Sequence, residues 1–408
     1  MSPMASAAPS VSRAELARLA GCFPVATFFQ LGGAAAIVGG AIFVWGLVGA
    51  HPERTWWAYH ANFVFWAAIT QAMVAFAAIQ KLARGRWGGL MIRFAQAGAA
   101  FTVVTLVLFA GLVLGRAHIF PWLHEPRTDL GWWLTSPWFF LRNAAVLALL
   151  SWLSWRFVRR DLAPDIRELA EGRPAEPGPG EQATIERDAV FVVMGYVFGY
   201  SLLGFELIMS LAHKWVSNLF GGFYFMGSLL GGVGVTILLT LAVRRPMGVA
   251  GLISPKQQHD IAKLYFGFTV FWAYLMWSQF LVIWYGNLPE ETYFVFYRLW
   301  GPWRPVGTAV FLMVFVIPFL GLLGVRPKKY APTLAGFVLV GLSGLWLERY
   351  LEIVPSLNEG AGPAIGIPEL GVALLFFGLF LLSLAWFGSR YPMLSPRLAA
   401  DTLEREAH

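Results

Sequence analysis

Ten stretches of about twenty apolar residues run through this chain, near 28–49, 58–80, 94–115, 136–155, 189–212, 219–243, 264–285, 305–325, 331–347 and 368–388. A helix needs roughly 20 consecutive apolar residues to cross a bilayer. With no water in the hydrocarbon, each spanning segment must satisfy its own backbone, so the ten are expected as helices. Composition agrees: 58% of the 408 residues are apolar and only 13% charged, where soluble domains carry about a quarter charged. This excludes a cytosolic enzyme, a nucleic-acid binder and a disordered scaffold. The first stretch follows Arg13 and Arg18 as in a signal peptide. Its apolar run is too long for an h-region, so it reads as an uncleaved first span. The expected fold is one all-α integral membrane domain over 1–408.

The net charge of +7 is a matter of sidedness. The N-terminal tail, the connections after even-numbered spans and the C-terminal tail hold 22 of the 30 Lys and Arg. Basic residues stay cytoplasmic, which puts both termini inside. The one long hydrophilic insert, 156–188, carries six Arg, eight Asp or Glu, and Pro164, Pro174, Pro177 and Pro179. It reads as a cytoplasmic linker with one short helix near 161–171, or as a docking site for a cytoplasmic partner.

In the interior of these spans, away from their ends, formal charge is confined to Arg142 and Glu206. Such residues are costly in a membrane and are usually paired or functional. Each lies roughly 10 Å below the outer surface, on consecutive antiparallel spans, so the two can meet. The pair is either a structural lock between spans four and five or part of an outer-leaflet pocket that binds a polar head group or moves a proton. Asn62, Asn143 and Gln279 fall at a similar depth, with Trp138, Trp215, Trp277, Trp284 and Tyr285. Most of these aromatics belong to the interfacial belt, and a few could sandwich a flat ring. His60, His118 and His213 mark outer span ends and read as wetted caps.

Transverse haem would need opposed histidines within the spans, and none of the seven His is placed deep by these boundaries. The single Cys22 removes disulfides and iron–sulfur clusters, which take about four thiolates. No haem, iron–sulfur cluster or other metal is therefore expected in this chain; redox centres would belong to partners. On the inner side Ser254-Pro255 opens a helix bearing His259 and Asp260, either a solvated start or a proton inlet. Asn287 to Thr292 reads as an outer helix start, with acids at the positive end of the dipole. Gly231, Gly232 and Gly234, like Gly321 and Gly324, would let helices approach closely.

Several segments resemble the NrfD-like (polysulfide reductase membrane subunit) family, specifically the membrane subunits of alternative complex III. They are FELIMSL at 205–211 with His213, Trp215, Ser217 and Phe220-Gly221; His259-Asp260 followed by FWAYLMWSQFLVIWYGNLPEET at 271–292; SPWFFLRN at 136–143; and WLERYLEIVP at 346–355. The likeness covers essentially the whole chain. Its length is similar to that of the smaller of the complex's two such subunits, with the larger as the alternative. The resemblance implies two four-helix bundles, spans two to five and six to nine, with spans one and ten peripheral. It implies a bacterial inner-membrane subunit of a quinol:cytochrome c oxidoreductase that binds or flanks quinol (menaquinone or ubiquinone) and offers a proton path. Its implied partners are an iron–sulfur/molybdopterin-like subunit, multihaem cytochrome c subunits and a second NrfD-like subunit, with cytochrome c or a terminal oxidase as acceptor. Glu206 matches a position where the family usually has Asp. Ala212-His213-Lys214-Trp215 departs from the family's acidic-Pro-His-Trp order. By this likeness Arg142 and Glu206 form the candidate quinol or proton site, Asn62, Gln279, His213 and Trp277 the quinone pocket, and His259 and Asp260 the proton inlet. A purely structural anchor remains a rival. So does a secondary transporter, although transporters use broken helices that meet at mid-membrane.

Overall fold

The computed structural model describes residues 11–85, 88–126, 128–212, 215–358, 360 and 362–407. Among these there is no strand, and ten helices are long and apolar enough to cross a membrane. The chain is an all-α, multi-pass membrane protein. Spans one to ten are Val25–Val48, Pro52–Leu82, Ile92–Leu114, Ser136–Glu171, Pro179–Leu207, Phe220–Val243, Pro255–Gly286, Arg304–Gly321, Ala331–Leu357 and Ile367–Arg390. Several open with proline in the first turn, as at Pro52, Pro179 and Pro255, where a missing N–H leaves no hydrogen bond unmade. Ser254 caps span seven by accepting from the Gln257 N–H at 3.1 Å, the start expected from the sequence.

Spans two to five pack on one another as one four-helix group and spans six to nine as a second. Span two is shared, touching spans six, nine and ten as well, and its most apolar window is 94% buried. Small residues permit this: a Cβ on Gly232 of span six would lie 2.9 Å from the Ala72 backbone. Spans one and ten form a pair at the periphery, and span one has its main contact there. The pairing rests on glycines seven residues apart, Gly32 and Gly39 against Gly371 and Gly378. A Cβ on Gly32 would stand 2.9 Å from the Leu382 backbone N. In hydrocarbon no hydrophobic force drives helices together, so close backbone contact of this kind supplies the attraction.

The helix Arg13–Ala20 packs on the C-terminal helix Pro396–Ala407, and the Met393 N–H donates to the Ala20 carbonyl at 3.1 Å. The first and last described helices therefore lie at one end of the bundle, the terminal end; the other is the distal end.

Two sequence expectations are corrected here. The insert 156–188 is not a linker: span four runs unbroken to Glu171, span five begins at Pro179, and only 172–178 joins them. Four of its eight acids, Asp161, Asp165, Glu168 and Asp188, are buried against the bundle. Asp161 accepts from Lys81 at 2.7 Å and from Arg93 at 2.7 Å, and Asp165 accepts from Arg93 at 2.5 Å and Ser395 at 2.8 Å. Arg13 grips Glu168 through two bonds of 2.7 and 2.8 Å. Proline at 164 does not stop the helix, because this network holds both flanks. Span nine likewise does not end at 347 but continues to Leu357. That extension brings three more charged residues into the distal half of the fold.

Candidate functional site

Arg142 and Glu206 meet as expected, near the distal ends of spans four and five. Nε of Arg142 donates to Oε1 of Glu206 at 2.6 Å, and Asn143 Nδ2 donates to the other oxygen at 2.5 Å. The guanidinium also donates to the Trp133 carbonyl at 3.1 Å and sits 3.9 Å over that indole ring. Glu206 is 2% exposed, so both its oxygens are engaged within the protein. A fully partnered pair of this kind neutralises its own charge, which is the condition for burying it.

The second bundle holds a larger ionic cluster that the sequence boundaries excluded. Glu348, Arg349 and Glu352 lie within one turn or so of span nine, all buried. The Arg349 guanidinium bridges Glu348 Oε2 at 2.9 Å and Glu352 Oε2 at 2.5 Å and lies 4.7 Å over the Tyr224 ring. Trp272 of span seven donates its indole N–H to Glu348 Oε1 at 2.7 Å. From the helix Pro289–Leu299, Arg298 donates to the carbonyls of Leu351 and Glu352, each at 2.9 Å, and to Ser356 Oγ at 2.7 Å. Burial pulls the Arg298 guanidinium down to about 9, against the pull of Tyr293 and Glu352, so it stays charged at neutral pH. The four side chains together are neutral.

Two buried carboxylate oxygens of the cluster have no hydrogen bond among the described residues, Glu348 Oε2, which keeps its ionic contact with Arg349, and Glu352 Oε1. Glu348 and Glu352 border a cavity of about 120 Å³ that Gln279, Trp215, Phe223 and Arg298 also line. A benzene ring fits in roughly 150 Å³, so this space is on the scale of one small ring or a few waters. Span eight lends Gly307 and Val310 to the lining, and its π-turn, Leu312–Val316, packs closely on Gly344, where a Cβ would stand 3.0 Å from the Val314 backbone N. Such turns often mark functional segments of helices.

The residues expected to share one pocket are distributed among three places. Gln279 lines the small cavity and donates to Ser217 at 3.2 Å, in the second bundle rather than beside Arg142. Asn62 bonds the Ala58 carbonyl at 2.9 Å and accepts from Trp346 at 2.9 Å, on a groove between the bundles. Trp277 is 58% exposed and faces outward, as belt aromatics do. His213 lies outside the described residues. His60 is not a wetted cap: it is fully buried eight residues into span two and bonds the Leu207 carbonyl at 2.7 Å. His259 and Asp260 sit on the first turns of span seven at the terminal end, and Asp260 pairs with Lys263 at 2.7 Å. They are twenty residues from Gln279 along one helix, roughly 30 Å, so they do not join the distal clusters.

The missed cluster left a signal. The charges at 348, 349 and 352 depress the hydropathy window and ended span nine early. Leu351, Ile353 and Val354 continue its apolar face on the far side, which is the pattern of a span carrying paired charge rather than of a loop. Comparison with models of known protein families and with curated proteins returned no match.

Proposed function

We propose that this chain is an NrfD-like membrane subunit of a respiratory quinol:cytochrome c oxidoreductase of the alternative complex III kind, with its termini in the cytoplasm of a bacterium. The observation that carries this reading is the Glu348–Arg349–Glu352 cluster, with one unengaged carboxylate oxygen, against a ring-sized, largely apolar cavity. Intramembrane ionisable groups are functional sites by default. Oxidation of a quinol, menaquinol or ubiquinol, releases two electrons and two protons. In this reading the electrons leave for iron–sulfur and c-type haem groups on partner subunits, and the protons fall to carboxylates of this chain. In this reading Glu352 Oε1 accepts from a ring hydroxyl, Arg349 offsets the charge of whichever carboxylate stays ionised, and Trp272 and Gln279 flank the ring.

The Arg142–Glu206 pair reads differently. Every oxygen of Glu206 is occupied, which favours the structural lock there and leaves the second bundle as the chemical one. The test uses the intact complex purified with Glu352→Gln. The expected result is normal assembly and quinol:cytochrome c turnover lowered roughly a hundredfold, as for loss of an acid–base group. An assembled variant with wild-type turnover would remove the cluster from the reaction.

A further inference from the structure

We propose that the terminal end of the second bundle carries a built site for one anionic glycerophospholipid, its phosphate held by Arg244, Arg245 and Lys329 and an acyl chain laid in the groove between the two bundles. The polar half is a cavity of about 1040 Å³ between the connection after span six and the starts of spans seven and nine. Arg244, Arg245 and Lys329 line it, and among the described residues none of the three has an acidic partner. Arg244 makes only a 3.4 Å contact to Gln258 Oε1. Several other cations at this end are taken: Lys81, Arg93 and Arg13 are bonded to Asp161, Asp165 and Glu168. Three uncompensated cations around one concavity favour a head group of net negative charge over a zwitterionic one, whose own cation offsets its phosphate.

The apolar half adjoins it directly. A second cavity of about 480 Å³ shares Leu238, Ala242 and Leu339 with the first and runs along spans two, six, nine and ten to Trp346 and Asn62. Those last two bond each other at 2.9 Å and close its far end. Leu339 and Phe377 on its lips are 54% and 43% exposed, so the groove opens sideways to the surrounding lipid. From Ala335 in the basic cavity to Trp346 is eleven residues of span nine, roughly 16 Å of helix. That is about half of the roughly 30 Å hydrocarbon core, the depth one leaflet's acyl chain reaches. A basic bay at the interface continued by an apolar trough one leaflet deep fits a phospholipid along its whole length.

Full-length protein in a mild non-ionic detergent, titrated with phosphatidylglycerol or with phosphatidylcholine of the same acyl chains and read by native mass spectrometry, tests this. The wild type should retain phosphatidylglycerol roughly tenfold better or more, as two or three cations near a phosphate provide. Arg245→Gln with Lys329→Gln should bring the two lipids level, and Arg245→Lys should keep the preference, which separates charge from a folding defect. Leu339→Trp, which fills the shared wall, should weaken both lipids. Equal retention of the two lipids by the wild type, or an undiminished preference in the doubly neutralised variant, would overturn the proposal. So would displacement of phosphatidylglycerol by millimolar inorganic phosphate, which would make the bay a site for a free anion.

Discussion

Replacing Arg349 by Met isolates what the second-bundle cluster contributes. Met preserves length and apolar bulk but removes the one cation that touches both Glu348 and Glu352, at 2.9 and 2.5 Å. With Arg298 counted, the four side chains go from neutral to a net negative charge in a region where Glu348 and Glu352 are 3% and 6% exposed. Removing one partner from a buried ion pair costs about 3–5 kcal/mol, because the other charge is stranded. At about 2.1 cal/mol/K per residue of unfolding entropy, 4 kcal/mol spread over 408 residues lowers the melting midpoint by roughly 5 °C. Adding Glu352→Gln restores neutrality, since Glu348 keeps its bond from Trp272 and Arg298 balances its charge. The double variant should regain about 2 kcal/mol, the coupling typical of residues in one network. Fluorescence-detected size exclusion after a heat ramp reads both. A single variant melting within about one degree of wild type, or a double variant no better than the single, would refute the neutral-cluster account.

Three further outcomes are expected. Glu206→Gln should impair assembly, and Arg142→Met combined with it should restore assembly with quinol:cytochrome c turnover within a few-fold of normal; a rescued complex that turns over a hundredfold slower would make that pair part of the chemistry. A cytoplasm-active reporter fused after Arg405 or within 172–178 should be active and one fused near Asn358 inactive, and the reverse pattern would overturn the sidedness drawn from Lys and Arg. Gly39→Leu should lower the melting midpoint by the cost of overpacking, about 1–3 kcal/mol, because its side chain would fall on the Leu375 backbone. Gly33→Leu, with open space around it, should not; equal effects would show that close packing at Gly39 is immaterial.

The ten spans and the Arg142–Glu206 contact were legible because they depend on properties a window reads well: apolar length, and depth counted from a span end. Span nine was misread for the same reason. Glu348, Arg349 and Glu352 cancel one another only when Trp272 and Arg298 arrive from other helices, and hydropathy prices each charge as if it stood alone. The segment 156–188 failed similarly. Asp161 and Asp165 look solvated in sequence, and only Arg93, Lys81 and Ser395, 68 or more residues away, make them interior groups. Asn62 and Gln279 share a depth but not a bundle, and depth alone does not say which way around a helix a side chain points.

The pairing of span one with span ten has a consequence for how the molecule is made. Of the ten spans, the earliest in the chain has its principal neighbour in the latest. Until residue 390 has left the ribosome, Gly32 and Gly39 face lipid or the insertion machinery. The clasp of Ala20 on Met393 and of Asp165 on Ser395 waits on the same late segment. The two bundles can assemble while the chain is still growing, but the seam that closes the fold waits until span ten has been made. A chain that stops short of span ten would therefore retain a core and present a free glycine face, which is the kind of exposed helix that membrane quality-control proteases remove.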